Sequence, residues 1–378
     1  MDRRKFLSSS VGAAGAVCLG GTVALGTTSS ASADDGRLSQ WYLTKEDDIN
    51  FDAEEGYDWT HECQGVARAW YGDPATGEPW WWVVSNADSG SSYKGIHKLD
   101  FAWRCVDHLT YEESWWPHGN HNDHIGAVHA NEHNQSDRGG RHVRLYVPVE
   151  HGSPRVWVTS AFGAADKHPG KMFFLGTDAL RPQQQAAWCS TDLSDSRVVT
   201  PDLNVIGGAP RSGGYLYSSN STDDRIYGYH WSADDNPAGP RQGTPDSGMG
   251  ALRVGRISRL PFPIEKITGG FVKDGRLYLS DDAEPGHIFC FRFAARAPGR
   301  MYDSAAMVLE GTYSIDEAKD TWPFPASVTE VEGLCHAPVD WHDEDDNHSR
   351  VTLILLDNAA FRDDVSVLHY DMPAEQAP

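Results

Sequence analysis

The chain has six cysteines in 378 residues and no C-x-x-C pair, which excludes ribbon-type structural zinc and a dense disulfide framework. Five of the six lie beyond residue 33: Cys63, Cys105, Cys189, Cys290 and Cys335. The last three sit beside apolar or aromatic residues, as packing thiols do, and the odd total leaves room for one disulfide with Cys63 and Cys105 as the candidate pair. No G-x-S-x-G elbow, phosphate-cradling glycine loop, H-E-x-x-H pair or G-x-G-x-x-G fingerprint is present, so the common hydrolase, nucleotide and metalloprotease signatures do not apply. Sustained helical periodicity and an apolar run of membrane-spanning length are also missing. Basic charge is scarce: 32 Lys and Arg stand against 54 Asp and Glu, a formal net charge of -22. Nucleic acid and anionic membranes, which require a basic surface, are therefore excluded as partners.

What the first residues do contain is a charged cluster, Arg3-Arg4-Lys5-Phe6-Leu7, then a weakly apolar Gly/Ala-rich stretch from Val11 to Leu25, then Ala31-Ser32-Ala33. These are the three parts of a secretory leader, with a core too short for a transmembrane span. The paired arginines, spacer, Phe and Leu resemble bacterial twin-arginine signal peptides. That resemblance implies export of an already folded, secreted protein, with cleavage after residue 33. Three basic residues and one acid would leave with the leader, moving the formal charge from -22 to -24. Residues 34–378 are read as one domain.

The remaining chain repeats. Five units open with a small residue and an apolar step: Gln64-Gly65-Val66-Ala67, Ile125-Gly126-Ala127-Val128, Ala187-Trp188-Cys189-Ser190, Gly269-Gly270-Phe271-Val272 and Glu332-Gly333-Leu334-Cys335. Each start is followed by a β-rich run with polar punctuation at its end: Val84-Ser85-Asn86 in the first unit, Tyr146-Val147-Pro148-Val149 in the second, Ser218-Ser219-Asn220 in the third, Leu279-Ser280-Asp281 in the fourth and Leu356-Asp357 in the fifth. A third strand follows in every unit, and Lys273-Asp274-Gly275-Arg276 reads as a two-residue hairpin turn. Short strands at this spacing predict an all-β chain and one four-stranded antiparallel propeller blade per unit. The pattern resembles secreted bacterial β-propellers of the phytase-like and lactonase-like kind in repeat architecture and turns, over residues 40 to 372. Five blades are expected. A sixth would follow if Ser232–Ser258 and Trp41–Trp59 form one, whereas Trp41-Tyr42-Leu43 would otherwise close the ring against the last unit.

In a propeller the innermost strands line the axis, so the residues just before the five starts should converge. They are polar: His61-Glu62, His121-Asn122-Asp123-His124, Gln183-Gln184-Gln185, Lys266-Ile267-Thr268 and Glu330-Val331-Glu332. Glu62, Asp123, His124 and Glu332 form the expected metal set, with calcium as the first choice for oxygen ligands, and His61 nearby. His124 and Glu62 are the expected proton-transfer groups. The alternative is that these side chains only hydrogen-bond the blade ends. The aromatic runs Trp80-Trp81-Trp82 and Trp115-Trp116 could face planar ligands or pack between blades, Asp281-Asp282 could reach the channel mouth, and Asp343–His348 reads as a solvated hairpin tip.

Two functions fit. One is an exported monomeric, metal-dependent hydrolase or lyase acting on a small molecule or glycan at the channel mouth. The other is a noncatalytic propeller that binds a glycan or a protein. The longer connections between a unit's first and second strands are rich in Asp, Asn, Gly and His, and on a rigid scaffold such loops carry function.

Overall fold

The computed structural model describes residues 42–49, 58–60, 62–72, 79–86, 94–111, 124–135, 140–149, 155–160, 170–175, 188–191, 215–230, 250–252, 254–273, 275–283, 286–293, 306–315, 329–337, 349–357 and 364–372. The chain opens with β1 (Tyr42–Ile49) and then builds blade 1 from β2 (Cys63–Gly72), β3 (Pro79–Ser85), β4 (Gly95–Leu99) and β5 (Cys105–Thr110). Blade 2 contains β6 (His129–Gln135), β7 (Gly140–Val149), β8 (Arg155–Ser160) and β9 (Lys171–Leu175). Blade 3 begins with β10 (Trp188–Thr191), β11 (Tyr215–Ser219) and β12 (Asp223–His230); after β13 (Gly250–Leu252) it is completed by β14 (Val254–Ile264). Blade 4 is β15 (Ile267–Lys273), β16 (Arg276–Asp281), β17 (His287–Arg292) and β18 (Val308–Ser314). Blade 5 is β19 (Thr329–Ala337), β20 (Ser349–Asp357) and β21 (Asp364–Met372).

The described strands form five sheets, four of them four-stranded and antiparallel, and together they make a single β-propeller. The N-terminal strand β1 pairs antiparallel with β21 and supplies the outer strand of the last blade, so the two ends of the chain share one sheet. This bears out the closure read for the Tyr42-Leu43 segment against the last unit. Five sheets match the expected five blades, and the alternative sixth does not form: the 232–258 insert makes no separate sheet among the described residues. Its β13 adds to blade 2 in parallel with β9, making that sheet five-stranded, and β14 becomes the outer strand of blade 3.

Alternation along each strand decides the packing. Trp81 and Trp82 are both buried, yet Trp82 joins the cluster between blades 1 and 2 while Trp81 joins the one between blades 5 and 1. In β16, Leu277 and Leu279 face blade 3 and Tyr278 faces blade 5. Five such apolar clusters fill the gaps between neighbouring blades, so the core is a ring of seams rather than one centre. The Lys273–Arg276 turn is the two-residue hairpin read from the sequence, with Gly275 in the left-handed region at φ 72°. Among the described residues no helix is long and apolar enough to cross a membrane.

The small residues at the unit starts prove to be spacers. A Cβ on Gly333 would lie 2.4 Å from Gly65 Cα, one on Gly65 would lie 2.5 Å from Ala127 Cα, and one on Gly269 would lie 2.4 Å from the Leu334 nitrogen. Inner strands of adjacent blades therefore approach backbone to backbone, a distance only glycine permits.

Candidate functional site

The inner strands begin at one mouth of the axis and end at the other, and the two mouths differ in chemistry. At the first mouth the polar residues that follow the second strands act as blade-to-blade latches. Asn86 donates its backbone N–H to the Glu62 carbonyl (2.9 Å), and its Oδ1 accepts from the Ile125 N–H of blade 2 (3.3 Å). The same arrangement recurs between blades 4 and 5. Asp282 donates to the Lys266 carbonyl (2.9 Å), its Oδ1 accepts from Val331 N–H (2.9 Å), and Lys266 Nζ lies 3.5 Å from its Oδ2. Between blades 3 and 4 a backbone carbonyl, Ser221 O, accepts from Ile267 N–H at 2.7 Å.

Glu62 and Lys266 both adopt left-handed backbone, φ 48° and 53°. That conformation disfavours residues with a Cβ. Because it recurs at the same step of two blades under side chains of opposite charge, it belongs to the entry of the chain into the inner strand rather than to chemistry at Glu62. The polar punctuation at strand ends thus has a structural meaning that its position in sequence did not disclose. Asp281, expected near the channel mouth, instead accepts from His287 N–H (2.7 Å) within its own blade, with His287 Nδ1 at 3.5 Å. Burial raises its pKa, against the lowering effect of that hydrogen bond.

Of the expected metal set, Glu62 and His124 are half-buried, Glu332 is buried at 8% exposure, and Asp123 lies outside the described residues, as does His61. Glu332 acts on Cys63, the residue that follows Glu62, at the seam of blades 5 and 1. Cys63, next to Glu62, is pushed well above the usual thiol range, first by burial and then by the Glu332 charge, against a hydrogen bond to the Gly65 backbone. His124 precedes Ile125, whose N–H is held by the same Asn86 that bonds the Glu62 carbonyl. Among the described residues no three His, Cys, Asp or Glu side chains are grouped so as to hold a metal ion. The candidate disulfide is corrected: Cys63 and Cys105 are free thiols, Cys63 in the wall between blades 5 and 1 and Cys105 3.7 Å from His97 Nδ1. Trp81 and Trp82 pack between blades, and Trp80 carries Lys98 Nζ 4.0 Å over its ring, while Trp115 and Trp116 lie outside the described residues, as does Asp343–His348.

The second mouth holds a group that the sequence reading passed over. The residue after each unit's opening quartet is Arg68, His129, Thr191, Lys273 and His336, basic in four units of five. Lys273, the last residue of β15, places Nζ 2.8 Å from His336 Nε2 near the end of β19. Phe271 lies against the same imidazole, ring centroids 5.9 Å apart. Arg68, on β2, is buried with its guanidinium 4.9 Å from the Trp81 ring centroid. Burial, then the charges of Lys273 and Arg68, hold His336 down at about 3, so it is neutral at ordinary pH and accepts from the Lys273 ammonium. His129 is lowered to about 4 by burial alone. The recurrence of a basic residue one step past the quartets was legible in the sequence; only the ring closure brings blades 4, 5 and 1 together.

No family model matches this chain, and no curated protein is detectably similar to it. Among solved structures, it is similar to a chain in the crystal structure of the Chaetomium thermophilum polycomb repressive complex 2, at 9% identity and a TM-score of 0.39, covering 84% of this chain and 70% of that one. It is also similar to the tail fiber of Staphylococcus aureus phage P68, at 12% identity and a TM-score of 0.40, covering 88% of this chain and 54% of that one. Likenesses at that level carry no functional argument, and the propeller assignment rests on the chain's own strand pairing.

Proposed function

We propose that the protein is an exported, ligand-binding β-propeller whose binding mouth is the one where the inner strands end. The observation supporting it is the division of labour between the mouths. Polar groups just past the ends of second strands tie blades together, as at Asn86 and Asp282, whereas basic groups gather where the inner strands end. Long connections carried on a rigid ring are suited to recognition. The ligand is a glycan or another small molecule taken up outside the cytoplasm, after the Arg3-Arg4 leader has directed export. Replacing residues 338–348 by a two-residue Asp-Gly turn, as in blade 4, should abolish binding in a glycan and metabolite screen while leaving the melting temperature within a few degrees. A variant that binds like the wild type would overturn this reading.

The competing proposal is a metal-dependent hydrolase at the first mouth, with Glu62, Asp123, His124 and Glu332 holding the ion. Burial of the Glu332 carboxylate at the seam beside Glu62 favours it. Elemental analysis separates the two: a stoichiometric divalent metal lost on Glu332→Gln and Asp123→Asn supports the hydrolase, and a metal-free protein with intact ligand binding supports recognition alone.

A further inference from the structure

We infer that Cys105 and His97, with His108 beside them, form a binding site for a thiophilic transition-metal ion such as Zn2+ on the outer strands of blade 1. The site is separate from both mouths and does not rest on the ligand-binding reading above. Strands β4 and β5 pair with His97 opposite His108 and Leu99 opposite Cys105, and Val106 is the extra residue of a β-bulge between those pairs. In a regular strand residues 105 and 108 would point to opposite faces. The bulge turns both onto the face that carries His97, a re-aiming that bulges perform beside functional sites. There the Cys105 sulfur lies 3.7 Å from His97 Nδ1 and 3.4 Å from the Asp107 carbonyl oxygen. The His108 ring stacks on that of His97, centroids 6.2 Å apart at 23°.

The sulfur–nitrogen separation is that of two ligands sharing one ion. With metal–sulfur about 2.3 Å and metal–nitrogen about 2.0–2.1 Å, bond angles of roughly 110–120° place the two ligand atoms about 3.5–3.8 Å apart. The donor types agree, because thiolate and imidazole favour zinc and copper over the hard cations that take oxygen. Three side chains are not gathered in advance. The thiolate and His97 therefore hold the ion, and His108, which is exposed, or water takes the positions facing solvent. The surrounding backbone is fixed. Asp100 Oδ1 accepts from the N–H groups of Ala102 and Arg104, both at 2.9 Å, Trp103 is buried beneath that turn, and Asp107 Oδ1 accepts from His108 N–H at 2.9 Å. Binding requires the thiol to give up its proton: Cys105–SH and a divalent ion yield a metal thiolate and one proton released to water. Cys63, Cys189, Cys290 and Cys335 are buried, whereas Cys105 is half-buried and within reach of an ion from solvent.

Cobalt(II) titration of the purified, reduced protein, followed by the near-ultraviolet sulfur-to-cobalt charge-transfer band, tests the inference. One equivalent should bind with a Kd below about 100 μM, and zinc should displace it and bleach the band. Cys105→Ser should remove the band, His97→Gln should weaken binding about tenfold or more, and His108→Gln should weaken it by less. Zinc should also raise the melting temperature of the wild type and leave that of Cys105→Ser unmoved. If Cys105→Ser does not fold, protection of Cys105 by zinc against iodoacetamide in the wild type, read by peptide mass, takes its place, and alkylation at an unchanged rate overturns the inference. Stoichiometric zinc retained in Glu332→Gln and lost in Cys105→Ser assigns the ion to blade 1 and not to the first mouth. No band at about 1 mM cobalt, a band unchanged in Cys105→Ser, or an affinity unchanged in His97→Gln overturns the inference.

Discussion

Gly333 and Gly275 have the same backbone conformation, φ 72°, and differ in what surrounds them, which makes the pair a direct test of how the ring is packed. A Cβ on Gly275 meets nothing within 4 Å, whereas one on Gly333 would lie 2.4 Å from Gly65 Cα and 3.1 Å from the Val66 nitrogen. Gly275→Ala should therefore cost only the left-handed backbone penalty, about 1–2 kcal/mol. Gly333→Ala carries that penalty and must also move two backbones apart, an overpacking cost of about 1–3 kcal/mol. The displaced atoms belong to β2, which also contacts blade 2 through Gly65 and Ala127, so strain at one seam passes to the next. Urea unfolding followed by tryptophan fluorescence should place Gly333→Ala below Gly275→Ala by about 1–3 kcal/mol, at unchanged m-value. Equal losses in the two variants would show that the glycine starts are turn residues and not spacers, and would refute the close approach of blades 5 and 1.

Asp282→Ala should leave the Val331 N–H without its acceptor and cost about 1–3 kcal/mol in the same assay, with Asp282→Asn recovering most of it; equal losses would show that charge, not the hydrogen bond, is the latch. His336 and His129 are held below the unfolded value of about 6.5, at about 3 and 4. The unfolded chain therefore binds more protons than the native one below pH 6.5, and stability should fall as pH drops from about 6.5 toward 4. The slope should be shallower in His336→Gln and His129→Gln, and a slope unchanged in both would refute burial as the cause. Native thiol titration should modify Cys105 first among residues 34–378, because Cys63, Cys189, Cys290 and Cys335 are buried; rapid reaction of Cys63 would contradict the raised thiol. Lysine at both Arg3 and Arg4 should block export, measured as loss of the protein from the extracytoplasmic fraction, and unaltered export would remove the twin-arginine reading.

The repeat, the strand class, the Asp-Gly turn at Gly275 and the closing role of the Tyr42 segment could be read from residue order, because each depends on alternation and turn chemistry over a few neighbours. Packing of Trp81 and Trp82 on opposite faces follows from the same two-residue period. What residue order could not decide is where a strand docks once it leaves its own unit. The 232–258 insert reads as material for a further blade, yet β13 pairs with β9, a sheet edge far away in sequence, and β14 with β12. The same limit governs the candidate site. Glu62 and Asp282 look like convergent polar groups in sequence, and only the seams between blades turn the Asp282 side chain and the Glu62 carbonyl onto backbone partners, the latter through Asn86. Conversely Arg68, Lys273 and His336 are spread over nearly the whole chain and form a cluster because ring closure sets β2 beside β19 and β19 beside β15. Local periodicity determines which face of a strand is apolar; the partner of that face, and any site built across it, is decided by long-range pairing that only the folded ring supplies.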